Sequence, residues 1–184
     1  MTRITSNFAF KQIPTQFKLF FGGRNSLVLL GLLLLGGCSG PTVRQSASSM
    51  QRDHIVIDSS KRGELVMTAM SLLNTPYRYG GDTPAEGFDC SGLVAYVIDR
   101  VANERVPRNT SGLAQAARPI SKNSLQEGDL VFFNTLNQPH SHVGIYVGDG
   151  LFINAPSSGG RVRLNSLSSH YFAQRFDGAG TFFN

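Results

Sequence analysis

Cysteine is scarce in this 184-residue chain. Cys38 and Cys90 are the only two, so at most one disulfide can form and a small scaffold stapled by bridges is excluded. Long apolar runs are missing too. The longest, residues 27–35, contains Gly31 and falls well short of the roughly 20 residues that cross a bilayer as a helix. Charged residues make up only 16%, but hydrophobic residues reach 41%, a globular balance that excludes wholesale disorder. Acidic residues are absent from residues 1–37, and that absence explains the net charge of +5. The segment holds four of the 17 bases (Arg3, Lys11, Lys18 and Arg24) and none of the 12 acids, leaving 13 bases against 12 acids beyond it. A nearly neutral remainder gives no reason to expect a nucleic-acid partner.

What the N-terminus does contain is an address. Basic residues, then the apolar run, then the small residues Gly36–Gly37 follow the order of a secretory signal peptide, here residues 1–37. Its end, Leu35–Gly36–Gly37–Cys38, resembles a bacterial lipobox. That resemblance implies lipidation of the Cys38 sulfur, cleavage just before it, and a membrane anchor at the new N-terminus. Ser39 in the following position implies the periplasmic face of the outer membrane rather than the inner one. With Cys38 so used, Cys90 has no disulfide partner in its own chain. Such a thiol is either sealed in a core or kept for its reactivity.

Residues 38–60 are polar and rich in Ser, Thr and Gln, and read as a tether. One domain then covers residues 61–184. From Arg62 the positions Leu65, Val66, Ala69, Met70 and Leu73 follow a helical stripe that Thr75–Pro76 stops. A turn-rich stretch, residues 77–84, comes next. A second helix opens near Asp89 and carries Leu93, Val94, Val97, Ile98 and Val101 on one face. A third is expected over residues 110–117, capped by Asn109 or Thr110. Short β-rich runs follow at residues 130–133, 143–147, 151–155, 161–164 and 179–183, with a helical piece near 168–174. Gly148–Asp149–Gly150 is a hairpin signal. Helices first and antiparallel strands after make an α+β domain.

Cys90 sits one turn before Leu93 and Val94, at the N-terminal end of its helix, where free amides and the helix dipole favour a thiolate. Gly92 allows another segment or a substrate to approach closely. A thiol used in catalysis needs a base, and His142 directly precedes a strand. Folding about residues 148–150 brings it within a position or two of Asn154, where an amide can orient an imidazole. Nucleophile, base and orienting group are then all present. His140 and His142 also have a metal-compatible spacing, but no third or fourth ligand is evident nearby, so no metal is expected.

Five blocks in order carry a family likeness: Thr75–Pro76–Tyr77–Arg78–Tyr79–Gly80–Gly81, Gly87–Phe88–Asp89–Cys90–Ser91–Gly92–Leu93, Val106–Pro107–Arg108–Asn109–Thr110, Gly128–Asp129–Leu130–Val131–Phe132–Phe133 and His142–Val143–Gly144–Ile145–Tyr146. Together they resemble the NlpC/P60 cell-wall cysteine peptidases over about residues 62–180. The resemblance implies a papain-like fold, with the cysteine helix packed on an antiparallel sheet that carries the histidine. It implies hydrolysis of peptide bonds in peptidoglycan stem peptides, without a cofactor. It assigns Cys90 as nucleophile, His142 as base and acid, Tyr77 to the oxyanion, and Asp89, Ser91 and Arg108 to the substrate groove. The third catalytic position, usually His in that family, falls on Asn154, a departure. Two rivals accompany this reading: a non-catalytic peptidoglycan-binding lipoprotein, and a thiol acyltransferase or amidase of related fold.

Overall fold

The computed structural model describes residues 55–157 and 160–184. The signal peptide, Cys38 and most of the tether lie outside the described residues.

Helix α1 (Arg62–Ser71) buries Leu65 and Ala69 and leaves Met70 exposed, and Leu73 packs against the core just past its end. It ends before Thr75–Pro76, and Asn74 takes the left-handed conformation at φ 69°. The turn-rich stretch contains a small hairpin, β1 (Asp82–Thr83) and β2 (Gly87–Phe88). Strands of two residues offer no alternation from which a sequence could reveal them. Helix α2 (Cys90–Ala102) starts where Asp89 Oδ1 accepts the Gly92 N–H at 2.6 Å and stops at left-handed Asn103. Its stripe, Leu93, Val94, Val97, Ile98 and Val101, is buried throughout. Asn109 rather than Thr110 caps α3 (Thr110–Ala116), accepting from the Gly112 N–H at 2.7 Å.

Six further strands form one antiparallel sheet in the order β3-β8-β4-β5-β6-β7. They are β3 (Arg118–Ile120), β4 (Leu130–Phe133), β5 (His142–Gly148), β6 (Leu151–Asn154), β7 (Arg163–Ser166) and β8 (Phe176–Thr181), with the short helix α4 (His170–Ala173) before β8. The larger departures from the sequence reading are that β7 begins two residues later, that β8 begins at Phe176 rather than Ala179, and that β3 has no counterpart in it. β3 lies at an edge, where Pro119 can sit without breaking a ladder that needs its missing N–H.

Strand alternation divides the sheet into two apolar faces. Phe132, Val143, Ile145 and Ile153 pack with α1 and α2 in the larger core. Val131, Phe133 and Phe152 face the other way and meet Leu167 and Phe172. Phe133 and Phe152 are fully buried, and each such ring contributes about 2 kcal/mol of transfer free energy. Packing on the domain begins inside the segment read as tether. Ile57 is buried, bridges Phe183, donates to the Phe182 carbonyl at 2.7 Å and accepts from Asn184 N–H at 3.1 Å.

Candidate active site

Cys90 occupies the first position of α2, so its own N–H and that of Ser91 have no partner within the helix. Both amides, and the N–H of Val143 on β5, point at the thiol. Gly92 is required here. A Cβ at 92 would lie 2.1 Å from the Gly81 carbonyl oxygen and 2.9 Å from Arg108 Nη2, so only glycine lets α2 dock so closely.

His142 is the first residue of β5, on the face with Phe133, its partner in β4. The β5–β6 register sets Ile145 opposite Ile153, which places Asn154 diagonally across from His142 on the same face. The Asn154 carboxamide nitrogen lies 2.8 Å from His142 Nε2, and Asn154 is fully buried. On its other side Asn154 Oδ1 accepts from Asn165 Nδ2 at 2.7 Å, across the β6–β7 pair. With Nε2 engaged by Asn154, Nδ1 is the ring nitrogen left for a thiol, and it accepts a proton in the tautomer that carries hydrogen on Nε2.

Cys90 and His142 line one cavity of about 430 Å³, together with Tyr77, Asp89, Ser91 and Arg108. Every residue assigned to the groove is therefore at its wall. Asp89 and Arg108 are also structural. Asp89 Oδ2 accepts from the Gly80 N–H at 2.9 Å while Oδ1 caps α2. Arg108 reaches Asp89 at 3.3 Å, Asp82 at 3.5 Å and the Gly80 and Gly81 carbonyls, tying the small hairpin to the helix. Ser91 is buried, and its hydroxyl donates toward Asp89 and the Arg108 carbonyl.

The electrostatics correct one expectation. Burial, followed by the negative charge of Asp89, pushes the Cys90 thiol above its ordinary pKa, and the converging amides do not reverse this. Burial, then the Arg163 guanidinium, lowers His142 to about 4. At neutral pH both groups are uncharged. The resting site holds a thiol and an imidazole rather than the thiolate that the helix terminus alone favours. Burial, and then the negative charge available to Cys90, raise Tyr77 as well, so its phenol stays a hydrogen-bond donor.

His140 takes no part in this arrangement. At φ 52° it lies outside β5, so the shared strand face that a His140–His142 metal pair requires does not exist. Its imidazole faces Asp177 at 3.1 Å and packs edge-on against Phe132. Among the described residues no three His, Cys, Asp or Glu side chains cluster as metal ligands would.

Residues 74–181 match the model of the NlpC/P60 family. The chain belongs to that family. This NlpC/P60 protein is 38% identical over 141 residues to the murein DD-endopeptidase MepH of Escherichia coli K12, covering 74% of this chain and 52% of that one. It is 37% identical over 154 residues to the probable endopeptidase NlpC of the same strain, covering 83% and 96%. Several longer relatives are matched over about half their length or less. The crystal structure of the NlpC/P60 domain of the peptidoglycan hydrolase SagA superposes with a TM-score of 0.58 at 33% identity, over 65% of this chain and 97% of that one. The fold is thus the α+β, papain-like one expected of an NlpC/P60 domain. Two residues at this site escaped the sequence reading, Asn165 behind Asn154 and Arg163 beside His142. Both lie on β7, which begins and ends two residues later than the sequence pattern suggests.

Proposed function

We propose that this protein is a peptidoglycan stem-peptide endopeptidase that works through the Cys90 thiol. The observation that carries the proposal is the meeting, in one cavity, of a thiol at a helix N-terminus and an imidazole held from behind by a buried amide. Relatives named as murein endopeptidases and peptidoglycan hydrolases support the substrate class. His142 acts first as a general base. It takes the S–H proton as the sulfur attacks the scissile carbonyl carbon, so no thiolate accumulates beforehand. The oxyanion that forms accepts from the Cys90 N–H and the Tyr77 hydroxyl, donors of a kind worth roughly 3 kcal/mol each in barrier height. Protonated His142 then gives its proton to the departing amine nitrogen as the C–N bond breaks. A thioester remains, and water attacks it while His142 accepts a water proton. The carboxylic product leaves as the sulfur regains its hydrogen. The cycle draws on no metal or organic cofactor.

Asn154 orients the imidazole in this reading, as an amide does in papain-like triads. The proposal includes export by residues 1–37 and a lipid on Cys38 that holds the domain at the periplasmic face of the outer membrane. Both rest on the sequence order alone. Cys90→Ala in the full chain should reduce release of muropeptides from sacculi by about a thousandfold or more, read by mass spectrometry of the soluble fragments. Retained release would overturn the assignment of the nucleophile.

A further inference from the structure

The cleft does not end at His142. A second cavity of about 380 Å³ opens past the imidazole and shares Thr135, Leu136, His142 and Ser157 with the cavity of Cys90. Most of its remaining wall comes from β7 and α4: Arg163 and Asn165 on the strand, Tyr171 and Phe172 on the helix. Arg163 stands opposite Asn154 in the β6–β7 register, so it shares the sheet face that carries His142 and Asn154.

The two halves of the cleft differ in charge. On the Cys90 side, Arg108 is already answered by Asp82 and Asp89. On the far side no acidic residue lines the cavity, and Arg163 makes no salt bridge or side-chain hydrogen bond among the described residues. A guanidinium presents a planar fork of donors that fits a carboxylate at two points, and here that fork is uncommitted. The chemistry fixes which part of a substrate reaches it. His142 must hand a proton to the leaving amine, so the leaving half lies beyond the imidazole when the acyl half lies over Cys90 and the Tyr77 hydroxyl.

We propose that this second cavity is the leaving-side subsite and that Arg163 binds a carboxylate carried by the departing half of the substrate. The substrate class is then a peptide with a free carboxylate close after the scissile bond. The inference rests on the endopeptidase reading for its direction, since only a cleaved bond has a leaving side. Aromatic Tyr171 and Phe172 give the rest of that half an apolar wall, and the Ser157 and Ser169 hydroxyls line the cavity with them.

Two measurements on the full chain test it. The first compares kcat/KM for muropeptides whose leaving-side carboxylate is free with the same muropeptides converted to the carboxamide. The free acid should be preferred about tenfold, the scale of one charge-assisted hydrogen bond, and the preference should shrink with added salt. Arg163→Gln should bring the ratio close to one, and Arg163→Lys should restore part of it, which also shows that the position tolerates substitution. Equal rates in the unaltered protein, or a preference surviving in Arg163→Gln, would overturn the proposal. The second measurement does not need turnover. In the Cys90→Ala protein, L-alanyl-D-alanine should shift the Arg163 Nε–H resonance in NMR titration and its C-terminal carboxamide should not. Absence of cleavage in the first experiment with a carboxylate-dependent shift in the second would sink the peptidase reading and leave the anion site standing. No shift with either dipeptide would sink the site itself.

Discussion

Cys90 is a thiol held back from ionising, and this gives it a recognisable pH signature. Because burial and Asp89 disfavour its charged form, alkylation by iodoacetamide in the ligand-free protein should rise through a midpoint above that of a free cysteine. A midpoint below it would mean a preformed ion pair and would contradict the general-base mechanism. Asn165 makes a sharper test of the imidazole. A carboxamide has a donor end and an acceptor end of nearly equal size, so the Asn154–Asn165 pair can run in either direction. As arranged, Asn154 Nδ2 meets Nε2, and the neutral ring carries its proton on Nδ1. Taking a proton on Nδ1 requires the reverse, with Nε2–H donating to Asn154 Oδ1 and Asn154 Nδ2 donating onward to position 165. Asn165→Asp, which can only accept once ionised, selects that productive direction and should keep kcat near the original. Asn165→Ala leaves a buried amide end unpaired and should lower kcat about tenfold with KM little changed, in steady-state assays on muropeptides.

Helix α2 is the element on which the site depends, and its placement turns on one missing side chain. Gly92→Ala puts a methyl group against the Gly81 carbonyl, a backbone atom that cannot swing aside, and so displaces the first turn that carries Cys90. The variant should lose roughly 1–3 kcal/mol in urea unfolding and lose activity beyond what its folded fraction explains. Elements of this kind were legible in the sequence. The α2 stripe repeats every three to four residues from Leu93 to Val101, and the 148–150 turn fixes the hairpin that aligns His142 with Asn154. The bounds of β7 are less legible, for a physical reason. It is an edge strand without buried positions, so no apolar alternation marks where it ends; a strand read over residues 161–164 stops short of Asn165, and nothing in the pattern singles out Arg163 within it. The helix-terminus argument for a thiolate failed differently. It counted the amides, which the sequence reveals, but not the burial, which only the packed fold supplies.

For the whole molecule, His142 links chemistry to folding. The folded ring stays neutral down to about pH 4, whereas in the unfolded chain it binds a proton below its ordinary value of 6.5. The unfolded state therefore takes up more protons across that interval, and stability falls as the pH drops from 6.5 to 4, by about 3 kcal/mol from this group. Denaturant titrations at pH 7 and pH 4.5 should show the loss, and His142→Gln should show much less of it.

The chain enters and leaves the domain side by side. Ile57 is stitched to Phe182 and Asn184 by two backbone bonds, and the Asn184 amide oxygen receives the Ser59 N–H at 3.0 Å. A single-residue parallel bridge between Ile57 and Phe183 closes this pairing, apart from the β5–β6 hairpin that holds the imidazole. The fastening of these two ends is thus a separate matter from the alignment of the thiol with the imidazole, and one can change without the other.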